Sequence, residues 1–198
     1  MGAELILATA SPYKQSQLSR LGLKFKCIAP DIDETPLPHE RAEALAIRLA
    51  REKCQKVAAG RTEALVLACD QSAELNGTLL DKPGDDARAL QQLRNCSGQR
   101  AVFYSAIALY RPNFPQISIA VTPTTVHFRA LSDREIASYI KKEDALDCAG
   151  GFKIEALGIT LFESISSTDP TALEGLPLIE VCRLLREAGF DPLLNGAN

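Results

Sequence analysis

Apolar residues recur along the chain in two distinct rhythms. Short runs dense in Val, Ile, Leu and aromatic residues, at 5–9, 25–29, 65–69, 101–110, 118–122, 124–128 and 159–162, predict strands. Between many of them the apolar positions repeat every three to four residues. That spacing predicts helices over 12–21, 41–59, 85–95, 133–142 and 177–188. Local signals set several of their ends: Ser11 and then Pro12 open the first helix, Ser132 caps the fourth, and Gly22, Gly60 and Gly189 stop three of them. Alternating strands and helices predict an α/β protein. Three successive strand signals between 101 and 128, with no helix among them, predict a long mixed sheet with an antiparallel part. No repeat, low-complexity stretch or linker interrupts the pattern, so a single domain over 1–198 is expected.

Composition narrows the function classes. There are 22 basic and 25 acidic residues, and a formal charge of −3 lacks the basic excess of a protein that coats nucleic acid. No nucleic-acid partner is expected, although a local phosphate site is compatible with this balance. The 6 cysteines contain no CxxC pair, and 2 histidines are too few to complete a zinc site, which suits free thiols in a reducing compartment. Glu4 stands where a signal peptide wants positive charge, and no apolar stretch reaches the roughly 18 residues of a membrane span. The expectation is a cytoplasmic protein with no membrane partner.

Five segments carry candidate chemistry. Ser11 ends a buried strand signal and precedes Pro12, with Lys14 one turn in; it is either a plain helix cap or part of an anion site built on the helix N-terminus. At 100° per residue, Lys53 falls within the stripe formed by Ala42, Ala46, Leu49, Ala50 and Val57. It either snorkels outward along its methylenes or meets an anion at the edge of the core. The run 65–69 ends in Asp70, a position that suits a catalytic carboxylate where strands of α/β proteins open onto a crevice. Asn76-Gly77 signals a two-residue hairpin; pairing Leu75 with Thr78 carries the register back to place Gln71 opposite Lys82, which makes Asp70 and Lys82 neighbours. Such a pair is equally a plain surface ion pair.

The acidic loop Asp31-Ile32-Asp33-Glu34 is either a solvated turn or, with Glu34 joined to Asp70, a pair of hard oxygen ligands for Mg²⁺ or Mn²⁺ completed by substrate phosphate. Cys148-Ala149-Gly150-Gly151 admits close approach of a ligand to the backbone, or is only a tight turn. Other chemistries find no support: the chain has no GxxxxGK[ST] loop, no GxGxxG, no HExxH and no plausible nucleophile triad.

The segments LILATASPYK, DIDET, AxxKC around Lys53 (AREKC in this chain), LACDQ, LLDKP, CAGGFKIE and GLPLIE together resemble the Maf nucleoside triphosphate pyrophosphatases over nearly the whole chain. The resemblance implies a long mixed sheet flanked by helices in two lobes around a central cleft, as in the HAM1 and ITPase-like proteins. It also implies cleavage of a nucleotide between the α and β phosphates with a divalent cation. It assigns Ser11, Lys14, Lys53 and Lys82 to the substrate phosphates, Asp70 to general-base catalysis and Glu34 with Asp70 to the metal. Tyr13, Gln71 and Glu155 fall on the family's specificity positions, and the chain is most similar to the 7-methyl-GTP pyrophosphatase subgroup, whose usual aromatic at the Tyr13 position is tryptophan. Lys14 and Gln15 replace basic residues of the family pattern. A homodimer is a further implication. Two alternatives stand beside this reading: a pyrophosphatase for other standard or modified nucleotides of the dTTP or UTP type, and a nucleotide-binding regulator of cell division without turnover.

Overall fold

The computed structural model describes residues 4–194. Seven strands form one sheet: β1 (Glu4–Ala8), β2 (Lys26–Ile28), β3 (Ala64–Leu75), β4 (Thr78–Leu80), β5 (Arg100–Arg111), β6 (Phe114–Phe128) and β7 (Phe162–Ser167). Their order is β2-β1-β3-β5-β6-β7, with β4 paired to β3. β1 is parallel to β2 and β3, and every other pairing is antiparallel, so the sheet is mixed as expected. Five helices flank it: α1 (Pro12–Ser19), α2 (Ala42–Ala58), α3 (Asp86–Cys96), α4 (Asp133–Lys142) and α5 (Leu178–Glu187). None is long and apolar enough to cross a membrane among the described residues.

Packing explains the two lobes. In one, Leu5, Leu7, Leu65 and Leu67 pack beneath α1 and α5 through Leu18, Val181, Leu184 and Leu185. On the opposite face, Ile6, Ala8, Val66 and Ala68 meet Ala46, Ala50, Cys54 and Val57 of α2, and these small side chains let the helix lie close to the sheet. In the other lobe the far ends of β3, β5 and β6 pack Ala73, Phe103, Val126 and Phe128 against Leu93 of α3 and Ile136 and Tyr139 of α4. The long strands run through both. The cleft lies where the helical covering changes.

Three elements differ from the sequence expectation. The run 65–69 does not end at Asp70: β3 continues to Leu75, and Asp70 lies within it, 6% exposed. Polar residues at 70, 72 and 74 end the hydrophobic run without ending the strand, because hydrogen-bond and ion-pair partners satisfy them. The segments 118–122 and 124–128 are one strand, β6. Pro123 interrupts neither ladder. Its carbonyl faces the β7 side, where Ser167 Oγ donates to it at 3.5 Å, so its missing N–H faces that side too, beyond the last β6–β7 pair at Thr124 and Ser167. Finally, the signal at 159–162 belongs to a 3₁₀ turn over Leu157–Leu161, and β7 starts only at Phe162.

Candidate active site

Strand alternation builds the floor of the cleft. Residues 66 and 68 of β3 face α2, so Asp70, Ser72 and Glu74 continue on that face. Polar residues are costly there unless paired. α2 supplies the partners: Arg41, at its N-cap, grips Glu74 with two guanidinium bonds, and Lys53, near its other end, reaches Asp70. The Lys53 ammonium is 2.6 Å from Asp70 Oδ1 and 2.8 Å from Glu34 Oε1. Lys53 is 6% exposed and does not snorkel outward; it is aimed inward, at carboxylates. Burial opposes its charge, but Asp70 and Glu34 outweigh that and hold its pKa above the ordinary value.

Glu34 arrives from the loop between β2 and α2, which α2 itself anchors. Arg48 binds the Thr35 carbonyl at 3.1 Å and the Glu40 carboxylate through two nitrogens, while Asp33 Oδ1 accepts from the Thr35 N–H. Partial burial would raise the pKa of Glu34. The Lys53 hydrogen bond and charge, aided by Lys82 and Lys14, more than reverse this and lower it.

The opposite wall begins at α1. Ser11 occupies the N-cap position in extended conformation, but its side chain makes no cap bond, so the plain-cap alternative does not account for the hydroxyl. Lys14 Nζ donates to the Cys69 carbonyl at 3.1 Å, and its side chain packs on Gly175, whose φ of +109° allows the close approach. Gln71 directs its amide nitrogen to Ser105 Oγ and the Ala172 and Leu173 carbonyls, at 2.9, 3.0 and 3.2 Å. That anchors the 172–175 turn and leaves the Gln71 carbonyl oxygen as the group available to a ligand. Gln17 braces the same turn through the Thr171 and Leu176 carbonyls.

The third wall is the Gly-rich segment. Phe152 packs edge-to-face with Phe103, Phe128 and Phe162, which roots the segment in the second lobe. Gly150, at φ +80°, has Phe103 and Phe152 atoms 3.0 Å from where a Cβ would lie, so the tight-turn reading of this segment holds. Burial and Asp147 push the thiol of Cys148, beside it, up to about 12.

These walls enclose a cleft of about 890 Å³ lined by Ser11, Tyr13, Lys14, Glu34, Lys53, Asp70, Gln71, Lys82 and Glu155. All nine sequence-derived candidates are therefore together. One expected contact is not formed. The hairpin has the expected Leu75–Thr78 register, but its ladder stops at Ala73–Leu80, and Asp70 takes Lys53 as its partner while Lys82 lies past the strand end.

Residues 4–188 match the family described as Maf-like protein. The chain belongs to the Maf family. Two curated relatives, each named 7-methyl-GTP pyrophosphatase, span nearly its whole length. The protein of Saccharophagus degradans is 46% identical over 191 residues, covering 96% of this chain and 97% of its own. That of Aromatoleum aromaticum is 48% identical over 188 residues, covering 95% and 97%. Among solved structures, the Staphylococcus aureus Ham1 protein aligns with TM-score 0.46 at 20% identity, covering 63% of this chain and 71% of its own. A HAM1 protein from Coxiella burnetii aligns with TM-score 0.45 at 22% identity, covering 64% and 73%.

Several residues lining the cleft of this Maf chain escape a reading of the sequence. Ser72 donates to Asp70 Oδ2 at 3.4 Å, and the two-residue spacing on β3 was the available signal. Arg88 lines the rim from the first turn of α3. Lys153, two residues before Glu155, lines the cleft and extends to Tyr13. As for a metal, no group of three His, Cys, Asp or Glu residues able to hold one occurs among the described residues. Glu34 and Asp70 each place one carboxylate oxygen on the Lys53 ammonium, at 2.8 and 2.6 Å, and both line the cleft. Two hard oxygen donors, with phosphate oxygens and water completing the shell, fit Mg²⁺ or Mn²⁺.

Proposed function

We propose that this chain hydrolyses 7-methyl-GTP to 7-methyl-GMP and pyrophosphate. The observation that carries the reading is the convergence of three lysines, two carboxylates and a separate aromatic–carboxylate pair, Tyr13 and Glu155, on one cleft. The cationic half suits a polyphosphate; the other half suits a base. The relatives' names supply the base, and its chemistry agrees with the residues. Methylation at N7 makes guanine cationic, so it gains from the Glu155 carboxylate and from stacking on Tyr13.

In this reading the triphosphate lies against the start of α1, with Ser11, Lys14, Lys53 and Lys82 answering its oxygens. Asp70 takes the proton from a water attacking the α phosphorus, and Lys53 and Ser72 hold that carboxylate in place. A divalent cation held by Glu34 and Asp70 would supply neutralising charge to the phosphates. Positioning and charge compensation provide most of the rate in such a scheme. The six free cysteines support a reducing, cytoplasmic setting. A homodimer is part of the proposal, and light scattering on the purified protein tests it.

The deciding experiment is a pyrophosphate-release assay on a nucleotide panel, with and without a chelator. Metal-dependent pyrophosphate release, fastest from 7-methyl-GTP, is the expected result. Orthophosphate as first product overturns the cleavage site. Preference for UTP or dTTP overturns the substrate but keeps the enzyme, and binding without any turnover points to a regulator.

A further inference from the structure

Every handle on Lys153 is fixed by the protein. Its N–H donates to the Tyr139 hydroxyl at 3.3 Å. Its carbonyl accepts from Ala156 and Gly158 N–H at 3.3 and 3.0 Å, and at Gly158 a Cβ would stand 2.3 Å from that carbonyl oxygen, so only glycine closes the turn. Phe152, just before it, is locked among aromatic rings. From this rigid base in the second lobe the Lys153 side chain crosses the cleft to α1 in the first. Its ammonium stands over the Tyr13 ring, 5.3 Å from the ring centre. A lysine ammonium has three donors. They stand beside the Tyr13 ring, the surface on which a base would stack, and Glu155 lines the same cleft two residues on.

We infer that Lys153 is a specificity-determining residue that reads the O6 carbonyl of a guanine base, while Glu155 accepts from that base's N1–H and N2 amino group. This deepens the function proposed above and rests on it. Two residues apart on one wall of the cleft, the pair offers a donor-only group and an acceptor-only group. Guanine is the complement, with an O6 acceptor next to two donors. Adenine offers the reverse order, setting its amino group against the ammonium and a lone pair against the carboxylate. Uracil and thymine supply one donor and then a second carbonyl oxygen, which would face Glu155. Methylation at N7 leaves O6, N1 and N2 untouched, so the same contacts serve the methylated base, and its positive charge makes N1–H a stronger donor to Glu155. Tyr13 then has two tasks: its ring carries the base, and the same ring keeps the ammonium near where O6 arrives.

The test deletes the contact from both sides. GTP and 6-thio-GTP, which keeps N1–H and the N2 amino group but replaces O6 with a weakly accepting sulfur, are compared as competitive inhibitors of 7-methyl-GTP hydrolysis. Wild-type protein should favour GTP by about tenfold, because a site built around a hydrogen bond rejects the analogue that lacks it. In Lys153→Met the two should bind within about twofold of one another. Tyr13→Phe, which keeps the ring beside the ammonium, should keep the wild-type ratio. ITP, lacking the N2 amino group, reports on Glu155, and the GTP to ITP ratio should be the same in wild type and Lys153→Met. An unchanged GTP to 6-thio-GTP ratio in Lys153→Met overturns the inference, as does an equal change in both ratios, which would mean that Lys153 only shapes the wall. Should 7-methyl-GTP not be hydrolysed at all, the proposed reaction fails; the same three nucleotides titrated by calorimetry then decide the role of Lys153 without it.

Discussion

The Lys53 ammonium meets the Asp70 carboxylate at 2.6 Å, with both side chains only 8% exposed, and the same nitrogen reaches Glu34, whose side chain is 50% exposed. One cation thus joins a buried acid on the sheet to a half-exposed acid on a loop. The buried arm couples the site to stability, because an ion pair taken out of water is neutral or costly overall yet strongly destabilising when only one partner is removed.

Lys53→Met should therefore lower stability by about 3 kcal/mol, or roughly 6–12 °C in Tm for a chain this size. Asp70→Asn should cost less, since the amide keeps the shape and Lys53 retains Glu34. The double variant should recover much of what Lys53→Met loses. Thermal melts of the two single variants and the double variant measure the coupling. Additive losses would show that the pair contributes nothing as a pair.

Asp70→Asn should also remove turnover by a factor on the order of 10² to 10⁴, the range for a lost general base. Binding should persist, because the lysines that answer the phosphates remain. Calorimetric titration with 7-methyl-GTP alongside a pyrophosphate-release assay separates the two effects, and near-wild-type kcat would exclude Asp70 as the base.

How far the sequence leads differs between the helices and the strand that carries the acid. The 3.6-residue stripe of α2 already marks Lys53 as misplaced, and the Asn76-Gly77 turn sets the Leu75–Thr78 register. Asp70 is legible as a site but not as a mid-strand residue. A run of hydrophobic residues marks where a strand faces apolar neighbours on both sides, and β3 continues past 69 on polar residues whose partners lie far away in sequence, the buried Lys53 and the exposed Arg41. The merged β6 has a similar cause: Pro123 reads as a break until the neighbouring strand is seen to end beside it. Lys153 was hidden because its partner Tyr13 is 140 positions away, and only the fold brings the Gly-rich turn across to α1.

The Glu34–Lys53 contact has a defined pH window. Glu34 has its pKa lowered by folding from 4.5, so its contribution is present above about that value and is lost as pH falls through the depressed folded value. Lys53 has its pKa raised from 10.5, so its contribution is complete below that and is lost as pH rises through the higher folded value. The contact therefore operates across the neutral range. Glu34→Gln should lower Tm modestly at pH 7, the loss being small because solvent screens the exposed arm, and should flatten the acid limb below pH 4.5 by the same amount, so that wild type and variant converge in acid. Wild type and variant with superimposable acid limbs would contradict this.

The base half of the cleft gives the sharpest separation of charge from shape. Glu155→Gln keeps length and a carbonyl acceptor but loses the negative charge, so it should reduce kcat/KM for 7-methyl-GTP by about tenfold, the scale of a charged hydrogen bond of roughly 1.5 kcal/mol. GTP, whose ring is neutral, should lose less. Tyr13→Ala removes the stacking surface, 38% exposed, and should act in the same direction because a cationic ring gains more than a neutral one from an aromatic face. The measurement is the ratio of kcat/KM values for the two nucleotides in each variant, since a general disturbance of the pocket cancels in the ratio. Equal losses for both would mean that Glu155 and Tyr13 shape the pocket without sensing the charge, and the preference for a methylated base would then have to come from the contacts to its O6, N1 and N2 edge alone.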